Sequence, residues 1–223
     1  MLKISLTILF SLIVFTATAQ EFFMGMGNTT SSFDYKNSKG EKLENLRPNN
    51  DLYMEAGYKL HIFTENLNIV PTLSYIQYGA SGTEQNYSLD WEMAYLGTNI
   101  GLEYNLFYIS DFFNQMNGFV KDREGLILYL KASFSGEFML SGTQRINNDT
   151  YDLAGVEQFD KPFFFGRGGG GLNYSFSEDI SIYGQYMFGK SFPIIASNSN
   201  DQEELSILTH QFSFGILIGI NHK

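Results

Sequence analysis

Side chains along much of this chain alternate between apolar and polar with a period of two. From Leu126 to Leu140 the even positions are Leu126, Leu128, Leu130, Ala132, Phe134, Gly136, Phe138 and Leu140, and none is polar. The odd positions between them include Tyr129, Lys131, Ser133, Ser135 and Glu137. From Leu208 to Ile220 the even row is Leu208, His210, Phe212, Phe214, Ile216, Ile218 and Ile220, with His210 the exception. The odd row there carries Thr209, Gln211, Ser213 and Gly215. Leu96, Ile100, Leu102 and Leu106 alternate with Gly97, Asn99, Glu103 and Asn105, and Leu52, Met54, Ala56 and Leu60 alternate with Tyr53, Glu55, Lys59 and His61. Successive side chains of a strand point to opposite faces, so each segment reads as a strand with one greasy and one polar face.

Eight strands are predicted, at about 22–34, 51–63, 68–81, 89–106, 125–140, 162–176, 180–190 and 206–221. Strands of soluble proteins average about 5–6 residues, whereas a tilted strand needs about 9–11 to cross a bilayer. Each is 11 residues or more and meets that requirement. The connections run to about 16, 4, 7, 18, 21, 3 and 15 residues; apart from the fourth, long and short alternate. That is the habit of outer-membrane barrels, with short periplasmic turns and long outer loops. The predicted fold is all-β, an eight-stranded antiparallel up-and-down transmembrane β-barrel with a polar, side-chain-filled interior.

Register follows from the short turns. Folding at Thr64–Leu67 sets Ile62 beside Ile69, Leu60 beside Pro71 and Ala56 beside Tyr75. Folding at Ser177–Asp179 sets Tyr174 by Ile182, Gly170 by Tyr186 and Gly168 by Phe188, where rings would cover the glycines. Pro71 cannot donate a ladder bond, so a bulge is expected there.

Orientation decides the class. The polar face carries Glu55, Lys59, Glu103, Lys131, Glu137 and Arg167, three acids and three bases. Turned inward they require partners, and the registers offer Glu103 to Lys131 and Glu137 to Arg167. The opposite face, with Phe134, Phe138, Phe164, Tyr174, Tyr186, Phe212 and Phe214, would overfill so narrow a lumen and suits a lipid-facing band. The six ionised residues are therefore expected to form a lumen charge network.

Composition narrows the function. Of 223 residues 43% are hydrophobic, 16% aromatic and 17% charged, and the net charge is −10. The chain is too aromatic for disorder, and its acidic balance argues against a nucleic-acid partner. With no cysteine there is no disulfide, thiol nucleophile or lipid-anchoring thiol. At the start, Lys3, an apolar run from Ile4 to Phe15 and the small residues Ala17 and Ala19 read as a secretory signal peptide over 1–19. The barrel domain is then 20–223.

Other candidate chemistry is thin. Gly166, Gly168 and Gly171 satisfy G-x-G-x-x-G, but a strand follows where dinucleotide binding needs a helix. His61, His210 and His222 show no metal or triad spacing. His210, polar on the greasy row near the outer rim, is where a lipid-modifying barrel could place a catalytic histidine, with Ser206 or Ser213 and Glu204 nearby; parity points Ser213 inward. The fourth connection mixes Phe112, Phe113, Met116 and Phe119 with charges. It is expected to form a floor under the barrel or a docking helix for a partner.

The stretches "TATAQ", "AYLGTNIGLEYNLF" at 94–107, "LILYLKASFSGEFMLSG" at 126–142, "FFFGRGGGGLNYSF" at 163–176 and "ISIYGQYMFG" at 180–189 resemble the PorT-like, porin-family outer-membrane β-barrel proteins of Gram-negative envelopes. The long insert after Phe107 and the ending Asn221-His222-Lys223 depart from that pattern. The resemblance implies residence in the outer membrane and, for some members, a link to type IX secretion and gliding. The expected role is non-enzymatic and structural or accessory, with no catalytic residues, metal or cofactor. The expected partners are outer-membrane lipid and lipopolysaccharide, and a periplasmic or outer-membrane protein. The alternatives are a lipid A-modifying barrel enzyme and a soluble periplasmic barrel binding an apolar ligand.

Overall fold

A computed structural model describes residues 20–36, 42, 45–62, 64–84, 87–108, 125–154, 161–177, 179–195 and 204–220. The alternating segments form β1 (Gln20–Lys36), β2 (Arg47–Ile62), β3 (Thr64–Glu84), β4 (Tyr87–Tyr108), β5 (Leu126–Ile146), β6 (Asp149–Asp152), β7 (Phe163–Ser175), β8 (Ile180–Ser191), β9 (Ile194–Ile195) and β10 (Glu204–Ile220). Eight of them make the wall, in the order β1-β2-β3-β4-β5-β7-β8-β10, and β10 pairs back onto β1. Neighbours are antiparallel throughout, so the wall closes without an open edge. The short β6 and β9 pair with the far ends of β5 and β10.

The stagger of the ring can be walked. Gln20 pairs with Leu60, Leu60 with Ile69, then Leu102, Ala132, Gly168, Phe188, His210 and finally Thr30. One circuit thus climbs ten residues along β1. With ~3.3 Å per residue and ~4.8 Å between strands, the strands tilt by roughly 40°. Each residue then rises ~2.5 Å along the barrel axis. Gln20 and Ile220 share one rim, called the near rim below.

The alternation sorts side chains by face. Phe212 is 60% exposed and Phe134 48%, and Phe214, Ile216, Leu102 and Leu73 also stand outside. Glu103 is 1% and Lys131 8% exposed, although each neighbours an outward residue in sequence. An apolar ligand lumen of the soluble-barrel kind is thereby ruled out: the greasy face is on the outside. Inside, the barrel is tiered. Toward the far rim Tyr53, Tyr78, Tyr95, Phe163, Phe165 and Ile207 belong to an apolar cluster. Phe23, Val70, Tyr183 and Leu217 form a smaller one toward the near rim. Glu55, Lys131 and Arg167 lie between the two, whereas Lys59 and Glu103 lie at the level of the near-rim cluster.

Several local expectations are corrected. Leu60 pairs with Ile69 and Ala56 with Leu73, a slip of two residues from the expected register. The slip arises because Ile62 pairs with Thr64, so residues 64–67 belong to β3 instead of forming a turn. Faces are preserved, since a slip of two leaves parity unchanged. No bulge forms at Pro71. The β2–β3 ladder stops at Gly57–Thr72 and resumes at Leu60–Ile69 in the same register, so the proline removes local pairing without inserting a residue. The shifts occur instead at Pro48/Tyr53 and His61/Ile62. On the β7–β8 side, Tyr174–Ile182, Gly170–Tyr186 and Gly168–Phe188 are partners. The rings do not cover the glycine at 168, because a Cβ there would meet nothing within 4 Å. The strands also run beyond the predicted ends: β3 and β4 leave only 85–86 between them, and part of the expected loop 141–161 is the β5–β6 hairpin. The signal segment 1–19, Phe112, Phe113, Met116 and Phe119 of the insert, and the ending Asn221-His222-Lys223 lie outside the described residues.

Two adjacent glycines give opposite expectations. At Gly169 a side chain would strike the Tyr186 carbonyl and Met187 backbone, whereas at Gly168 it would enter open space. Gly169→Val is expected to abolish refolding and Gly168→Val to leave it intact, read as the folded fraction from the gel mobility of unheated against boiled samples. Equal yields for the two would contradict the assigned faces.

Candidate functional site

The six ionised residues all point into the barrel, and among the described residues they are the only buried charged side chains. Each sits on an inward row because its strand alternates, and each must find a partner where water is scarce. Around Arg167 the network is dense. Its Nη2 lies 2.7 Å from Glu137 Oε1 and donates to the Tyr78 hydroxyl at 2.8 Å. That hydroxyl in turn donates to Glu137 Oε2 at 2.7 Å. Nη1 donates to Ser135 Oγ at 2.5 Å, and Ser135 donates to Glu137 Oε1 at 3.0 Å. The guanidinium lies 4.2 Å over the Phe165 ring. Both carboxylate oxygens and both terminal guanidinium nitrogens are thus engaged.

Lys59 and Glu103 form the second pair, 2.5 Å apart, with the ammonium 4.8 Å from the centre of the Tyr129 ring. Glu103 and Lys131 are cross-strand ladder partners, yet the ion pair goes to Lys59, two strands away across the curve of the wall. Lys131 donates instead to Gln185 Oε1 at 3.3 Å and lies 5.5 Å over the Phe23 ring.

Among the described residues Glu55 has no ion-pair partner. Four neutral groups donate to it: Tyr53 at 2.9 Å, Tyr183 at 2.8 Å, Gln185 Nε2 at 2.6 Å and Ser213 at 3.0 Å. Gln185 therefore joins Lys131 at its carbonyl to Glu55 at its amide nitrogen, a polarised bridge between opposite charges. Tyr53, Tyr78, Tyr183, Gln185 and Ser135 are network members that sequence reasoning left unassigned. Their signal was parity: Tyr53 shares a row with Glu55, Tyr183 with Gln185, and Ser135 with Glu137.

A cavity of about 20 Å³ remains, bordered by Glu55, Lys131, Arg167, Gln185 and Gln211. That is space for about one or two waters. At the far rim Lys36 pairs with Glu204 at 2.8 Å, and the hydrogen bond and charge of Glu204 raise the Lys36 ammonium above its usual range.

The remaining candidates are dispersed. The Gly166–Gly171 run lies inside β7, with β8 following. His61 Nδ1 contacts Asn68 Oδ1, while His210 is exposed and bonded through Nδ1 to the Tyr186 hydroxyl at 2.6 Å. Ser213 is committed to Glu55, Ser206 is buried, and Glu204 is committed to Lys36. Among the described residues no group of three His, Asp or Glu side chains has the arrangement of a metal site.

No protein-family model matches the chain, and comparison with curated protein sequences gives no match. Among solved structures the chain is similar to the outer membrane protein OprG from Pseudomonas aeruginosa, at 12% identity, over 92% of this chain and 98% of that one, with a TM-score of 0.51. It also aligns with the E. coli outer membrane protein W, at 14% identity over 88% and 97% of the two chains, with a TM-score of 0.43. Neisserial surface protein A aligns at 10% identity over 88% and 96%, with a TM-score of 0.42. The likeness to OprG is one of fold: this chain is a small barrel of the outer-membrane type.

The network sets an order of mutational cost. Arg167→Ala leaves Glu137 buried without its cation and is expected to cost ~3–5 kcal/mol, with Lys59→Met in the same range because it strands Glu103. Lys131→Met strands no carboxylate in direct contact and is expected to cost less. Urea unfolding in detergent micelles, followed by the single tryptophan Trp91, measures all three; equal values for Lys131→Met and Arg167→Ala would contradict the pairing.

Proposed function

We propose that the protein is an outer-membrane barrel of a Gram-negative envelope, delivered by the signal segment 1–19, whose role is non-enzymatic and structural or accessory. The observation that carries this reading is the reversal of faces: rings and aliphatics clothe the exterior while ions fill the interior. Such a cylinder is stable only with hydrocarbon around it. Both chain ends of the described barrel lie at the near rim, which makes that rim periplasmic and the far rim external by the habit of the class.

A plugged lumen leaves the rims and the outer wall as the working surfaces. The resemblance to PorT-like, porin-family barrels supports a place beside a secretion or assembly complex, with the periplasmic 107–124 segment, bearing Phe112, Phe113, Met116 and Phe119, as the docking element. An enzymatic reading rests on His210 alone, and its neighbours speak against it: Ser213 serves Glu55, and the hydroxyl at His210 is a tyrosine.

The test combines location and chemistry. The protein is expected to sediment with outer membranes after a carbonate wash, with Gln20 as its first residue. Lipid A from cells lacking the gene is expected to give an unchanged mass spectrum. A soluble periplasmic protein would overturn the membrane reading, and a changed acylation pattern would overturn the non-enzymatic one.

A further inference from the structure

Two basic side chains, Lys190 on β8 and His210 on β10, stand exposed on the outward face. Leu208 is the ladder partner of Lys190 and Phe188 that of His210, so the two are diagonal neighbours within mutual reach of one ligand. The geometry of His210 is fixed. Its ring packs edge-on against Phe188 with centroids 5.2 Å apart, and its Nδ1 meets the Tyr186 hydroxyl at 2.6 Å. In the tautomer whose Nδ1 accepts from the phenol, the ring proton is on Nε2, which is then a donor. Lys190 has a different kind of freedom. The far-rim lysines Lys36 and Lys42 pair with Glu204 and Asp34, whereas no ion pair among the described residues involves Lys190.

Height and shape give the ligand. Lys190 stands ten residues beyond Ile180, or ~25 Å up the axis, and His210 stands eight residues beyond Ile218, or ~20 Å. The apolar band of such barrels is about 25 Å tall, so both bases sit at its outer edge, where lipid phosphates lie. Directly beside Lys190 the wall is bare. Gly166 is its ladder partner and Gly168 that of Phe188, and a Cβ on either glycine would touch nothing within 4 Å. Phe134, the β5 partner of Gly166, walls one side of this hollow, and Phe188 the other. A cation with no ion pair among the described residues at the hydrocarbon edge, a neighbouring imidazole and an apolar trough one strand wide are complementary to an anionic headgroup with its acyl chain.

We propose that this corner is a binding site for a phosphorylated lipid of the outer leaflet, its phosphate on Lys190 and His210 and one acyl chain over Gly166 and Gly168. The site rests on the reading that the apolar belt faces lipid.

The experiment uses protein purified from membranes and placed in phosphatidylcholine nanodiscs doped with lipid A carrying two phosphates. Native mass spectrometry counts the lipid A retained. The wild type is expected to retain lipid A over phosphatidylcholine, and Lys190→Glu to lower retention by about fivefold or more. His210→Ala is expected to act in the same direction. Gly168→Leu, which fills the hollow without touching the fold, is expected to lower retention as well. Unchanged retention in all three variants overturns the site. Displacement of the lipid by excess inorganic phosphate as complete as that caused by Lys190→Glu would show a free-anion site and also overturn it. A dimer abolished by Gly168→Leu, with lipid retention unaltered, would assign the hollow to a second copy of the chain and overturn it too. Failure of the wild type to enter the nanodisc would instead defeat the membrane reading itself.

Discussion

Ionised groups inside a cylinder this narrow must balance and must meet. Eight strands with a stagger of ten residues leave an interior that side chains fill, so a carboxylate or ammonium pointing inward loses most of its water. An uncompensated ion there costs several kcal/mol. The chain meets this constraint with three acids and three bases and with contacts that cross the barrel. Lys59 of β2 reaches Glu103 of β4, Arg167 of β7 reaches Glu137 of β5, and Glu55 of β2 gathers donors from β8 and β10. The Lys59 and Glu55 ties join strands that the backbone ladder connects only through intervening ones, and the Arg167 tie reinforces the adjacent β5–β7 pair. The greasy exterior is the other consequence of the same period-two pattern, since what leaves the lumen polar leaves the outside apolar.

The interior is not uniformly polar. The Arg167 cluster lies against Tyr78 and Phe165, whose rings stack 5.6 Å apart and continue into Tyr95 and Phe163. Tyr78 belongs to both tiers, with its ring in the apolar cluster and its hydroxyl between Arg167 and Glu137. The aromatic tier shields the ion pair on the far-rim side, and the small cluster around Phe23 and Leu217 does so toward the near rim. Low local polarity strengthens the contacts already made and raises the cost of breaking one.

Parity was the legible quantity in the sequence. It named the eight wall strands, put Phe134, Phe212 and Ile216 outside and put Lys131, Glu103 and Glu137 inside. Quantities that parity does not distinguish were not legible. A two-residue slip between β2 and β3 leaves every face unchanged, so Leu60 could be set against Pro71 when it pairs with Ile69. Ladder partnership likewise does not fix contact across a curved wall, which is why Glu103 bonds to Lys59 and not to its neighbour Lys131. Strand ends were blurred because β3, β4 and β5 carry the ladder past the apolar band into segments as polar as a loop. The hydroxyls and amide that solvate Glu55 were hidden for another reason. Tyr183 and Gln185 of β8 become ligands of Glu55 on β2 only when the sheet closes into a ring.

The central claim is the direction of each face, and β5 offers the most direct measurement of it. The chain has no cysteine, so single cysteines placed one at a time along 130–138 can carry a spin label without background. In bilayers, the collision rate with oxygen reports contact with hydrocarbon. The account expects maxima at 130, 132, 134, 136 and 138 and minima at 131, 133, 135 and 137, a strict two-residue oscillation. Maxima at the odd positions, or no oscillation, would contradict it.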